Sequence, residues 1–262
     1  MSQQSLFDTT SAEWIKFRSV RSTLYSLLVT LVLCVGIGGL VSFGRGSDAA
    51  QNSAGFLPDP TRVSLQGFGL AEIAIGVVGV LIITSEYATG SIRSTLAATP
   101  RRLRVILAKA GVLFAATLVV GELCAFLSFF LGQAILSSKH VTTASLSTPG
   151  ALRGVVLAGF SLALLALFAM GIGLMLRHTA GSITVYVAIL LVLFLLLAAL
   201  PSNWQHDIAR FMPEVLTASM RAASTTRSEF TAFSPLTSTL VMIGYAVASL
   251  VGGAAVMLRR DA

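Results

Sequence analysis

The sequence predicts an all-α integral membrane protein with six transmembrane helices, and three observations predict it. Apolar residues make up 55% of the chain and charged residues only 11%, where a soluble domain usually carries about 25% charged. Mean hydropathy is +0.85. Several apolar runs reach the length of about 20 residues that a bilayer-spanning helix needs. The connections between most of these runs are short, so residues 1–262 read as a single transmembrane domain.

The elements follow in order. An N-terminal helix is expected over 10–22, where Thr10-Ser11-Ala12-Glu13 has the pattern of a capping box with Thr10 as N-cap and Glu13 reaching back to it. Trp14, Ile15, Phe17 and Val20 interleave with Lys16, Arg18 and Arg21, a composition that suits an interfacial helix at headgroup level or an early extension of the first span. Spans are expected at about 24–43, 67–83, 106–136, 152–176, 183–200 and 236–258. Pro58-Asp59-Pro60 and Pro149-Gly150 close the loops after the first and third spans, a turn from Arg177 to Ser182 follows the fourth, and Pro201 stops the fifth. The extracellular segment 202–235 is long for a turn. Within it, Pro213 to Ala223 reads as an amphipathic helix dipping back toward the membrane or as a surface loop with aromatic anchors.

The net charge of +7 lies between the apolar runs, which is the distribution of membrane topology and not of a nucleic-acid surface. Eleven lysines and arginines near span ends fall on the side of the termini and seven on the other, with the densest cluster at Arg101 to Arg104. Both termini are therefore expected in the cytoplasm, in a multi-pass protein of the plasma membrane in contact with its lipid. Cys34 and Cys124 lie inside apolar runs, with no disulfide framework and no metal-ligand spacing. No small-residue cleavage site follows the first run, which reads as an uncleaved span.

The most informative stretch is Glu86 to Lys109. Gly90 can end the helix that leaves the membrane, and Ser91 can cap a new one. Thr99-Pro100 reads as an N-cap followed by a first helical position. Between these signals there is room for a helix of about two turns, Ser91 to Ala98. The plain alternative is a re-entry loop whose arginines only enforce topology. The run Glu-Tyr-x-x-Gly-Ser-Ile-Arg-Ser-Thr-Leu-Ala-Ala-Thr-Pro-Arg-Arg resembles permease subunits of the type-2 ABC transporter family, whose actinobacterial members read closely like EYxxGTIRxTLAAxPRR at this place. The layout of the whole chain is similar to that family too, with a basic N-terminal helix, six spans and a long segment between the last two.

That resemblance implies the type-2 ABC exporter permease fold. It further implies two permease protomers, identical or related, each resting on a separate ABC ATPase subunit through short cytoplasmic coupling helices. Carried onto this sequence, the ATPase-coupling residues would be Glu86, Gly90, Ser91, Ile92, Arg93, Leu96, Arg101 and Arg102, with a second contact at Arg177 and His178. The chain has no Gly-rich Lys-Ser/Thr phosphate loop, so ATP and Mg are expected on the partner ATPase and no cofactor or enzyme activity on this chain.

Two acids fall inside the apolar runs, Glu72 and Glu122. A charge in the bilayer core costs at least about 2.5 kcal/mol on insertion scales, so such residues usually face a protein interior or a wet cavity. They read as lining a translocation path that favours cations, or as structural groups that are protonated or hydrogen-bonded to a neighbouring helix. Small residues spaced by four, Gly244, Ala248 and Gly252, and Ala169 and Gly173, indicate close helix packing. The substrate class left open is hydrophobic or amphipathic: a drug, a lipid-linked molecule or a peptide. Two other functions compete. An ion-gradient-driven carrier would usually show an internal repeat, and an intramembrane lipid-modifying enzyme would cluster its His and acids, whereas His140, His178 and His206 are scattered.

Overall fold

The structure, a computed structural model, describes residues 6–52, 55–92, 94–95, 102–197, 201–223 and 232–260. Among the described residues there is no strand. In chain order the helices are α1 (Leu6–Ser19), α2 (Arg21–Asn52), α3 (Pro60–Ser64), α4 (Phe68–Thr89), α5 (Arg102–Ser138) and α6 (Ala151–Leu176). They continue with α7 (Thr179–Val187), a π-helical stretch Ala188–Val192, α8 (Leu193–Leu197), α9 (Ser202–Ala209), α10 (Pro213–Arg221) and α11 (Pro235–Arg260). Six of these units are long and apolar enough to cross a membrane: α2, α4, α5, α6, the α7–π–α8 unit and α11. The chain thus has the all-α architecture of a multi-pass membrane protein.

Helix α6 is the hub. It packs against α4, α5 and α11, and 72% of its most apolar stretch is buried inside the protein, against 22% for α2 and 17% for the α7–π–α8 unit. Leu162, Leu165 and Met170 on α6 are completely enclosed. The outer helices instead leave apolar side chains such as Leu28, Val32 and Leu195 uncovered, as lipid-facing positions require. One end of the bundle carries α1, the end of α4, the start of α5, the α6–α7 turn and the end of α11; we call it the proximal end, and the other the distal end.

Several boundaries differ from the sequence reading. Helix α1 begins at Leu6, ahead of Thr10, so the capping box does not cap; Glu13 pairs instead with Lys16 on its own helix and with Lys109 of α5. It is a separate helix that stops at Ser19 and packs mainly on α5. The first span does not end near Phe43 but continues helically to Asn52. Its extra turns are held where Gly46 meets Leu136 and Lys139 of α5 and where Ala49 joins Leu57, Leu136 and Val141 in a small apolar cluster. The expected turn from Arg177 to Ser182 shrinks to Arg177 and His178, because the His178 side chain accepts a hydrogen bond from the Gly181 N–H and starts α7 at Thr179.

Segment 202–235 contains a helix from Pro213, the first of the two readings of that run, and a second one before it, α9. The turn between α9 and α10 sits within the length of α11 and not beyond its end, since the Tyr245 hydroxyl donates to the Phe211 carbonyl at 2.9 Å. The pair α9–α10 therefore folds back along the bundle. Helix α10 packs on α6, α11 and the π-helical stretch. There the Leu193 N–H bonds the Ala188 carbonyl, five residues back, a widening often found at functional sites.

Candidate functional site

The proximal end holds a buried network of four charges. Lys109, in the second turn of α5, is 1% exposed. Its Nζ donates to Glu13 Oε2 of α1 and to Glu86 Oε1 of α4, both at 2.6 Å. Lys16 of α1 extends the network from the rim. Its Nζ donates to Glu13 Oε1 at 3.0 Å, to Glu86 Oε1 at 3.4 Å and to Thr95 Oγ1 at 3.2 Å. Burial pulls the Lys16 amine down, but its hydrogen bond to Glu13 and the charges of Glu13 and Glu86 outweigh that and hold its pKa above the usual lysine value.

The network ties three helices and the segment after α4 to one point. That segment begins as the sequence predicts: α4 ends on Gly90, which takes φ +72°, a conformation costly for other residues. The Thr95 N–H then bonds the Ser91 carbonyl, making one helical turn, with the Ser91 hydroxyl bonded to Thr89. Ile92 of this turn is buried in the main core. Arg93, Leu96, Thr99-Pro100 and Arg101 lie outside the described residues. Glu86 is directed inward onto Lys109 and not toward open solvent.

Two arginines from the two proximal connections converge on the end of α11. Arg102 Nη1 donates to the Met257 carbonyl at 3.3 Å, and Arg177 Nη2 donates to the Val256 carbonyl at 3.4 Å. The Met257 carbonyl is one of the last four of the helix, which lack intrahelical partners, and both carbonyls lie at its negative dipole end, so guanidinium groups there are favourable. Arg177 also lies over the Tyr87 ring, 5.1 Å from its centroid, which adds the end of α4 to the junction. Replacing Arg177 with Ala is expected to fray α11 locally, costing about 1 kcal/mol. Amide hydrogen exchange should then speed up several-fold over 257–260 and stay unchanged around Met242; unchanged exchange at both places would show that the contact contributes nothing.

The distal end holds a second buried cluster. Glu72, in the second turn of α4, is completely enclosed. Its Oε1 accepts a hydrogen bond from Nη1 of Arg221, the last residue of α10. Arg221 Nη2 also lies 3.8 Å from Glu214 Oε1, and its guanidinium carbon is 5.8 Å from the Phe68 ring centroid. The Tyr186 hydroxyl donates to the Glu72 carbonyl at 2.7 Å, where Gly76 leaves room for its ring. Beyond Arg221 the chain is pinned by the Ala223 N–H to Asp59 Oδ2 at 3.2 Å and by Arg153 Nη2 to the Ala222 carbonyl at 3.2 Å.

The partner of the Glu72 side chain is a guanidinium from the segment between the last two spans, where the sequence reading offered a hydrogen-bonding group of a neighbouring helix. The sequence reading missed Arg221, which it counted only as a topology charge. Glu122 stands apart from both clusters. It lies along α5 against the backbone of Gly159 on α6, and its Oε2 is buried with no hydrogen-bond partner among the described residues. Among the described residues no group of His, Cys, Asp and Glu is placed to hold a metal.

Fold and sites together define a class: a multi-pass helical membrane protein with an ion-paired cluster at each end of its bundle. No protein-family model matches the chain, and no curated protein matches it.

Proposed function

We propose that this chain is the membrane-spanning permease subunit of an ATP-driven exporter of the type-2 ABC kind, working with a separate ATPase subunit and a second permease protomer. The observation that carries the reading is the proximal junction. The segment that resembles the family's main coupling element begins at Gly90 and is anchored at Thr95 to a buried charge network spanning α1, α4 and α5. The two connections that the resemblance assigns to ATPase contact, at Arg102 and Arg177, both grip the end of α11. A push on either connection is thereby passed to the helix that flanks the returning hairpin α9–α10 at the other end. In this reading the proximal end is cytoplasmic, the distal end is the exit, and the cargo is hydrophobic or amphipathic.

The test is co-purification of the chain with ABC ATPase subunits from its own source. Stable complex and substrate-stimulated ATP hydrolysis are expected. Helix-breaking substitutions at Ile92 and Leu96 should abolish the stimulation while leaving the permease folded. A chain that transports with no ATPase bound, and whose transport collapses with an ionophore, is an ion-gradient-driven carrier instead.

A further inference from the structure

We infer that the corner between α1 and α2 is a binding site for an anionic phospholipid of the proximal leaflet. Arg18 and Arg21 hold its phosphate, and its acyl chains lie along the outward face of α2. The site is separate from the exporter reading and does not depend on it.

The first support is the orientation of α1. Thr9, Glu13 and Phe17, spaced by four, are buried, and Lys109 fixes Glu13 inward. The opposite face carries Trp14, 45% exposed, Ile15, 69% exposed, and Arg18, one turn beyond Trp14. The Trp14 ring is steadied by stacking on Phe17, 6.2 Å between centroids. An aromatic ring beside a basic side chain is the composition of the headgroup level. The second support is charge. Arg18 and Arg21 are exposed, and neither is ion-paired among the described residues. Glu13 and Glu86 are taken up by Lys16 and Lys109, and the first turn of α2 holds no acid. The two guanidinium groups are thus left without a counter-anion.

The corner itself is fixed. Helix α1 stops at Ser19 and α2 starts at Arg21, while the Val20 carbonyl accepts from the Thr23 N–H at 3.1 Å and the Leu24 N–H at 3.4 Å. Arg18 and Arg21 therefore flank one short bend. Guanidinium groups match phosphate oxygens through paired N–H donors. A zwitterionic lipid brings its own ammonium beside the phosphate, which two uncompensated guanidinium groups repel; an anionic lipid brings none. The third support is a place for the chains. Arg21, Tyr25, Leu28 and Val32 recur at helical spacing on α2, and the last three are 67%, 61% and 57% exposed. From Arg21 to Val32 a helix rises about 16 Å, about half of a hydrocarbon core of ~30 Å. The stripe thus spans one leaflet, with the arginines at its headgroup end.

The experiment uses the whole chain carrying Trp204→Phe, which leaves Trp14 as its single tryptophan, in phosphatidylcholine vesicles. A minor fraction of the lipid is brominated phosphatidylglycerol or, in the matched control, brominated phosphatidylcholine. Quenching of Trp14 fluorescence should show phosphatidylglycerol preferred by about tenfold or more, since each arginine near an anionic surface is worth about fivefold. Arg18→Gln and Arg21→Gln should each lower the preference about fivefold, and the double variant should abolish it; the single variants serve where the double does not fold. Equal quenching by the two lipids overturns the proposal. So does an equal loss of preference in Arg259→Gln, an exposed arginine at the same end on α11, which would mean a diffuse surface potential. Displacement by soluble glycerol phosphate would make the corner a site for free anions and overturn it as well. A double variant that keeps the preference but no longer co-purifies with an ABC ATPase would make the corner a protein contact, with the same consequence. The vesicles hold no ATPase, so failure of the lipid assay leaves the exporter reading standing, and the reverse is equally true.

Discussion

Lys109→Met is expected to destabilise the protein by about 3–5 kcal/mol, the usual cost of removing one member of a buried ion pair. The side chain is 1% exposed, and its ammonium sits between the two innermost carboxylate oxygens, Glu13 Oε2 and Glu86 Oε1, each at 2.6 Å. Without it, two buried carboxylates would face each other across α1 and α4. Lys16 cannot replace it, because it sits at the rim with 45% of its side chain exposed and already bonds both acids. The triple change Lys109→Met, Glu13→Gln, Glu86→Gln removes every inner charge and should recover most of the loss, since a buried pair exchanged for neutral groups is often nearly neutral in stability. Thermal unfolding in detergent, followed by the monodisperse fraction on size exclusion, reads both. The triple variant should nevertheless lose coupling of Thr95 to α5, so a folded but inactive triple variant is the expected outcome under the exporter reading. A single variant that melts with the wild type would remove the network from any structural role.

Much of this fold is legible in the sequence because hydropathy is a local property. Each apolar run reports its own helix, and Gly90 ends α4 where a residue tolerant of positive φ stands. Helix ends set by packing are not legible in the same way. The run Gly44 to Asn52 looks like a loop by composition, yet it stays helical because Gly46 and Ala49 find partners on α5 and beyond it. The Thr10–Glu13 pattern is a genuine capping pattern that tertiary pairing overrides, since Glu13 gains more from a buried lysine than from a backbone N–H at a helix start. The sites are the least legible. Glu72 and Arg221 are 149 positions apart, and no local spacing encodes their meeting. The available hint is physical: an acid inside an apolar run needs a cation, and the only arginines that a distal-end acid can reach lie on distal segments. The same logic would pair Lys109, which stands among apolar residues of the third span, with the acids at the proximal end.

The close approach of helices to α6 leads to the other large effect. A methyl group at Gly79 of α4 would lie 2.1 Å from the Ala166 carbonyl oxygen and 2.9 Å from its carbon, and one at Gly121 of α5 would lie 2.5 Å from the Gly159 carbonyl oxygen. These obstacles are backbone, so no rotamer change relieves them and the helices themselves must separate. In a bilayer, where lipid is as apolar as a leucine side chain, helix association relies on this contact and not on exclusion of water. Gly79→Ala and Gly121→Ala are each expected to cost about 1–3 kcal/mol by overpacking, and Gly79→Val should prevent recovery of folded protein. Gly36 and Gly244 are the internal controls, since a methyl at either meets nothing within 4 Å. Alanine there should be neutral or stabilise by up to about 1 kcal/mol through helix propensity. A ranking in which Gly244→Ala is as harmful as Gly79→Ala would mean that α11 packs against another protein on that face. With the expected ranking, the crossings on α6 hold the bundle together, and the faces of α2 and α11 that carry Gly36 and Gly244 are left to lipid.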